Sequence, residues 1–324
     1  MDWAHRLSIA RSGDFHQTTV RTLIILSMMV TALGTPVPVR QDRKGGDFSI
    51  SVNVGVALFN VSVTDSKGRH VSGLKVSDFR VLENGQAQDI QLFSAEDVPA
   101  TIGLVMDNSG SMRTKRNDVQ RAALAFVAAS NPADELFIVT FNEKVHMGLP
   151  EELRFTSDLG QFQFALLQMT PAGLTALYDA TAVALDHVQT GTRDRKALVI
   201  LSDGGDNASH RKLDDLLEIS RRSSATVYTI GIYDDSDPDR NPRVLRKIAD
   251  SSGGRAYFPR SLSHLDEVWR DIAGEIRSQY TIGYVPRKSN IGSGSFRSVK
   301  IVATRNGGKP LNVTTREGYV LPEN

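Results

Sequence analysis

The chain contains no cysteine. Disulfides, thiolate zinc sites, iron–sulfur clusters, cysteine nucleophiles and an N-terminal lipid-modified cysteine are all excluded. An excess of one charge is also missing: 38 Lys and Arg face 37 Asp and Glu, a net of +1. Affinity for a phosphate backbone needs clustered cations, so nucleic acid is not an expected partner. No run is long enough to suggest a membrane span. The apolar stretch Thr22 to Leu33 has twelve residues, which rise only about 18 Å as a helix against a hydrocarbon core of roughly 30 Å. Common catalytic signatures are absent too: there is no Gly-x-Ser-x-Gly elbow, no Walker phosphate loop and no His-Glu-x-x-His. What is present is ordinary globular usage, 40% apolar and 23% charged in 324 residues, long enough for two domains of roughly 100–200 residues each.

Residues 1–34 read as a targeting segment. Arg6, Arg11 and Arg21 precede the apolar stretch, and Ala32-Leu33-Gly34 supplies small residues for a cleavage site. A cleaved signal is the expectation and an uncleaved anchor the alternative. Export then places the protein in the periplasm, on the cell surface or outside. Cleavage removes three Arg and two Asp, so 35 basic and 35 acidic residues remain. A neutral mature chain has no electrostatic attraction to an anionic membrane and is expected not to insert into one.

Residues 35–47 (Thr35 onward, rich in Pro, charge and Gly) form a linker. From Phe48 the pattern alternates through Ile50, Val52, Val54, Val56 and Leu58, as a half-buried strand does, and slips in phase at Phe59-Asn60, where a bulge or corner is expected. A turn at Asp65 to Gly68 and an Asn84-Gly85 hairpin signal mark 48–97 as an antiparallel β unit. Four apolar runs follow: Thr101–Met106, Leu136–Phe141, Ala197–Leu201 and Thr226–Ile232. Runs that are apolar on both faces suit parallel strands under helices. Helices are expected over Asn117–Ala129, Leu174–Val188, Lys212–Ser223, Val244–Ser251 and Leu262–Ser278. This alternation predicts an α/β fold over 99–278, a doubly wound, mostly parallel sheet. β patterning returns over 279–324, with Tyr280, Ile282 and Tyr284 alternating and Asn306-Gly307 marking a hairpin. Neither β piece is long enough to build its own core. The expectation is that 48–97 and 279–324 pack into one small β-sandwich with the α/β domain inserted between them; two separate β appendages are the alternative.

The first buried run ends in Asp107-Asn108-Ser109-Gly110-Ser111-Met112. Ligands in open α/β sheets sit at the carboxyl ends of strands, where this turn lies. Asp107, Ser109 and Ser111 are spaced to converge on one point, and a carboxylate with two hydroxyls is a hard, all-oxygen donor set suited to Mg²⁺, Mn²⁺ or Ca²⁺. Asp203 follows the run ALVIL, and Thr175 stands at a loop-to-helix start between the two strands. The order Asp-x-Ser-x-Ser, Thr, Asp resembles the metal-ion-dependent adhesion site of von Willebrand factor type A domains, over about residues 100–275. The β flanks resemble those of the bacterial VWFA-related proteins first described in acidobacteria.

The resemblance implies a Rossmann-like domain whose Ser109, Ser111 and Thr175 hydroxyls ligate a divalent cation, Mg²⁺ foremost. Asp107 and Asp203 would ligate directly or through water. A protein partner would complete the site with an Asp or Glu carboxylate. The functional expectation is an exported, non-enzymatic, metal-dependent adhesion module. A structural scaffold of an envelope or surface assembly and a metal-assisted hydrolase are the alternatives. Plain roles compete for each residue: helix capping for Ser109, Ser111 and Thr175, and an Asx-turn for Asp203.

Overall fold

Alternating apolar residues open the described chain. In the computed structural model, which describes residues 56–95, 97–233, 239–287, 295–305 and 308–320, Ala57, Phe59, Val61 and Val63 all point into one core from strand β1 (Ala57–Thr64). The expected signal segment, the linker, the strand start at Phe48 and the Asn306-Gly307 turn lie outside the described residues. Strand β1 runs without a bulge: its register is continuous through Ala57 to Val61 against one partner and through Ser62 to Thr64 against another. The expected phase slip at Phe59-Asn60 is therefore not a local distortion. Val56 and Leu58 are only half buried, and the odd-numbered residues carry the core face.

Strands β2 (Phe79–Glu83) and β3 (Gln86–Gln88) pair antiparallel about Asn84-Gly85. Both turn residues have positive φ, 47° and 81°. Two successive left-handed residues match the twist of a two-residue hairpin, which is why Asn-Gly occurs there. Strand β4 (Leu92–Ser94) closes this segment.

The middle of the chain alternates strand and helix: β5 (Ala100–Asp107), α1 (Arg116–Ala129), β6 (Glu135–Phe141), β7 (Val145–Met147), α2 (Leu159–Leu167), α3 (Leu177–Gln189), β8 (Arg195–Ser202), α4 (Leu213–Arg222), β9 (Thr226–Gly231), α5 (Pro242–Ser251), β10 (Ala256–Tyr257) and α6 (Leu265–Ser278). The sheet order is β10-β9-β8-β5-β6-β7, parallel except for β7 at one edge. Every residue of β5 and β9 is buried, as strands covered on both faces require. Helix α1 packs on α6 through Phe126 and Trp269, whose ring centroids are 4.8 Å apart.

After a single residue, Gln279, the chain enters β11 (Tyr280–Tyr284), then β12 (Phe296–Ala303), β13 (Asn312–Thr314) and β14 (Gly318–Val320). These strands join the first four in two antiparallel sheets, β13-β1-β11-β4 and β14-β12-β2-β3. Phe59, Val61, Val81, Tyr280, Ile282 and Ile301 share one core between them. Inside it the buried Glu83 accepts from Arg297 Nη1 at 2.7 Å and from the hydroxyls of Tyr284 and Tyr319 at 2.7 and 2.8 Å. The fold is α/β with a mostly parallel central sheet and two added antiparallel sheets.

Within the α/β part, some elements carry no clear signal in the sequence. Strands β7 and β10 are three and two residues long, too short for periodicity. Helix α2 exposes Leu159, Phe164 and Leu167, which blurs its apolar stripe. The last helix begins as a 3-10 turn, Leu262–His264, before α6 proper.

Candidate metal centre

Strands β5 and β8 are neighbours, yet β5 leads toward β6 on one side while β8 leads toward β9 on the other. This change of direction opens a crevice at their carboxyl ends. Asp107 is the last residue of β5, and Asp203 directly follows β8. Both are buried, with relative exposures of 0% and 1%.

A chain of hydrogen bonds links four of the five candidate ligands. Asp107 Oδ1 accepts from the Ser109 amide at 2.9 Å. The Ser109 and Ser111 hydroxyls lie 3.2 Å apart, and Ser111 Oγ donates to Asp203 Oδ2 at 2.5 Å. Ser109 is buried and Ser111 is exposed, so the cluster reaches the surface. Thr175 is buried beside Asn207, but among the described residues no hydrogen bond joins its side chain to the other four.

Capping does not occupy these hydroxyls. Helix α1 begins after Lys115 and α3 after Ala176, and neither has a side-chain cap. Asp203 does form an Asx-turn, accepting from the Gly205 amide at 2.9 Å through the oxygen that Ser111 does not use. The turn and the contact with Ser111 coexist.

Electrostatics single out Asp107. Burial disfavours its charged form, and the nearby Asp203 carboxylate raises it further, so its pKa is pushed up to about 6. Hydrogen bonds from Ser109 and Ser202 pull only partly the other way. Two carboxylates thus face one another in a buried crevice, and among the described residues neither is ion-paired with Lys or Arg. No group of three or more His, Cys, Asp or Glu among the described residues could hold an ion. The donor set on offer here is two carboxylates and hydroxyls, and that set fits a hard divalent cation.

Supporting residues surround the five candidate ligands; Asp206, open in the sequence between a supporting and a plain loop role, is among them, whereas Ser202, Ser209 and Glu143 gave no signal. Ser202 Oγ donates to Asp107 Oδ2 at 2.6 Å, fixing the carboxylate oxygen that Ser109 leaves open. Asp206 accepts from the Tyr178 amide at 2.8 Å, and Ser209 Oγ lies 3.1 Å from the amides of Tyr178 and Asp179. Together they cap α3 from a neighbouring loop, supplying what Ala176 cannot. Glu143 accepts from the Leu174 amide at 3.1 Å. Gly173 beside it has φ of +80°, and a Cβ there would run into that carboxylate. No local motif announces these partners because they lie far apart in sequence. Met112, which ends the motif turn, is 1% exposed and packs in the core, His187 packs on Phe137 and Phe155, and His210 lies against Asp179.

Residues 102–205 match the family model of the von Willebrand factor type A domain. The chain carries such a domain. The match spans all five candidate ligands. Among solved structures, a von Willebrand factor type A protein from Catenulispora acidiphila is 17% identical with a TM-score of 0.50, covering 83% of this chain and 74% of that one. Proximal thread matrix protein 1 from the mussel byssus, described with a zinc-occupied MIDAS motif, is 19% identical with a TM-score of 0.50. It covers 61% of this chain and 50% of its own. These likenesses concern the fold. No curated protein matches the chain significantly.

Proposed function

We propose that the domain is an adhesion module that binds a protein partner through a divalent cation held by Asp107, Ser109, Ser111, Thr175 and Asp203. Domains of this type are generally interaction modules, and their known signatures are not those of enzymes. The observation that carries the reading is the pair of buried carboxylates, Asp107 and Asp203, converging with two hydroxyls at the switch point and, among the described residues, ion-paired with no Lys or Arg. A bound cation would supply an electrophilic position for a carboxylate from outside. The chain's own residues do the rest. Ser202 and the Ser109 amide orient Asp107, Ser111 bridges to Asp203, and the exposed Ser111 keeps the cluster open to a partner. Leu174, 53% exposed one residue before Thr175, offers an apolar contact at the rim.

Mg²⁺ is the proposed ion, with Mn²⁺ and Ca²⁺ as substitutes. The proposed partner is a protein presenting Asp or Glu, and the proposed setting is outside the cytoplasm after cleavage near residue 34. Among the described residues no helix is long and apolar enough to cross a membrane. We further propose three parts, 48–97, 99–278 and 279–324, with the first and last building one β unit around the second. Capture from the producing cell's extract tests the function. A partner retained with Mg²⁺, and lost both with EDTA and on Asp203→Ala, supports it. Retention that ignores ion and variant alike would favour the scaffold reading.

A further inference from the structure

Four candidate ligands are tied to one another by their own hydrogen bonds, and Thr175 is not. Its place is set through its backbone by a residue outside the motif. Thr175 N donates to Asn207 Oδ1 at 2.8 Å. Thr175 O accepts from the amides of Asn207 and Ala208 at 3.0 and 3.1 Å. Asn207 thus grips the peptide groups on both sides of Thr175, and it lies four residues beyond Asp203 on the same loop. The remaining contacts hold the neighbours: Ala176 N donates to Asn142 O at 2.7 Å, and Gly110 N to Gly173 O at 3.1 Å.

We propose that Asn207 is a positioning residue for the metal centre, one that locks the Thr175 hydroxyl in register with Asp203. The proposal rests on the metal-binding reading above. An amide side chain suits the task because its oxygen accepts from Thr175 N while its own backbone N–H donates to Thr175 O. The pair of bonds forms a small closed ring that resists both twist and translation. Without the side-chain oxygen, the Thr175 amide loses its partner and the hydroxyl-bearing turn is held from one side only. Groups that orient a ligand without touching the ion typically change metal affinity 10–100-fold.

The test is a Mn²⁺ titration of the full chain, followed by electron paramagnetic resonance of the free ion, together with melting in EDTA. Asn207→Ala is expected to weaken Mn²⁺ binding at least about tenfold while remaining folded in EDTA. Asn207→Asp, which keeps an acceptor oxygen at the same reach, should retain wild-type affinity or better. In a Thr175→Ala background, Asn207→Ala should have no further effect, because its action passes through Thr175; a general loosening of the fold would add instead. If Asn207→Ala fails to fold, Asn207→Gln keeps the amide and misplaces it by one methylene, and it should also lose affinity. Wild-type affinity in both Asn207→Ala and Asn207→Gln, or full additivity with Thr175→Ala, would overturn this assignment alone. A wild-type chain that binds no Mn²⁺ would overturn the metal-binding reading along with it.

Discussion

Asp107 shows how a single residue can be costly to the fold and central to the site. Its pKa is raised to about 6 by burial and by Asp203. In the metal-free protein the folded state therefore holds a proton that the unfolded chain, with a carboxyl near its ordinary value, has already released. Stability from this group is present below about pH 4 and is lost as pH rises toward 6, by roughly 3 kcal/mol in total. Asp107→Asn removes the ionisation and should gain stability relative to wild type by about that amount between pH 4 and 7 in EDTA. Urea unfolding at the two pH values measures it; a constant difference between the two proteins would contradict the assignment. Ser202 belongs to the same account, since its hydroxyl is one of the groups that make the charged form tolerable.

At the scale of elements, the sequence showed the buried strands and most helices because their patterns are long. Helix α1 begins one residue before its expected start, and α4 lies one residue inside each expected end. The expected helix from Leu174 begins only at Leu177, because residues 173–176 are drawn into the site by Glu143, Asn207 and Asn142. No window around Leu174 contains those partners. The motif residues Asp107, Ser109, Ser111 and Asp203 were legible through their strand-end positions, and the contacts among them follow from the parallel register of β5 and β8. Arg195 was not legible: at the start of β8 it is fully buried and donates to Ile276 O at 3.0 Å and Gln279 O at 2.8 Å. It satisfies carbonyls where α6 passes into β11, with only Gln279 between the two elements. Arg195→Met should cost about 2–4 kcal/mol, since hydrogen bonds to a charged donor are lost and buried carbonyls are left unmet. Arg195→Lys should recover only part of this, because one ammonium cannot span the fork. Equal stability of wild type and Arg195→Met in urea would show that the contact is incidental.

For the whole molecule, the two ends of the described chain meet in one core, and the buried Glu83–Arg297 pair with the Tyr284 and Tyr319 hydroxyls sits at their junction. Glu83→Ala strands a buried guanidinium and should cost about 3–5 kcal/mol, while joint replacement of both partners by apolar residues should cost much less. Urea unfolding of the two variants separates these outcomes; equal losses would mean that the pair itself, not the orphaned charge, carries the energy. The crevice at the carboxyl ends of β5 and β8 belongs to the separate central sheet. An ion that binds the folded chain alone must stabilise it, by about 2.7 kcal/mol at a hundred times its dissociation constant. The most direct measurement is the melting temperature with and without millimolar Mg²⁺, Mn²⁺ or Ca²⁺, for wild type, Asp107→Ala and Asp203→Ala. Wild type should rise by several degrees with at least one of these ions, neither variant should rise, and both variants should lose little stability in EDTA. A wild-type melt unmoved by all three ions, or variants that rise as far as wild type, would contradict metal binding at this crevice.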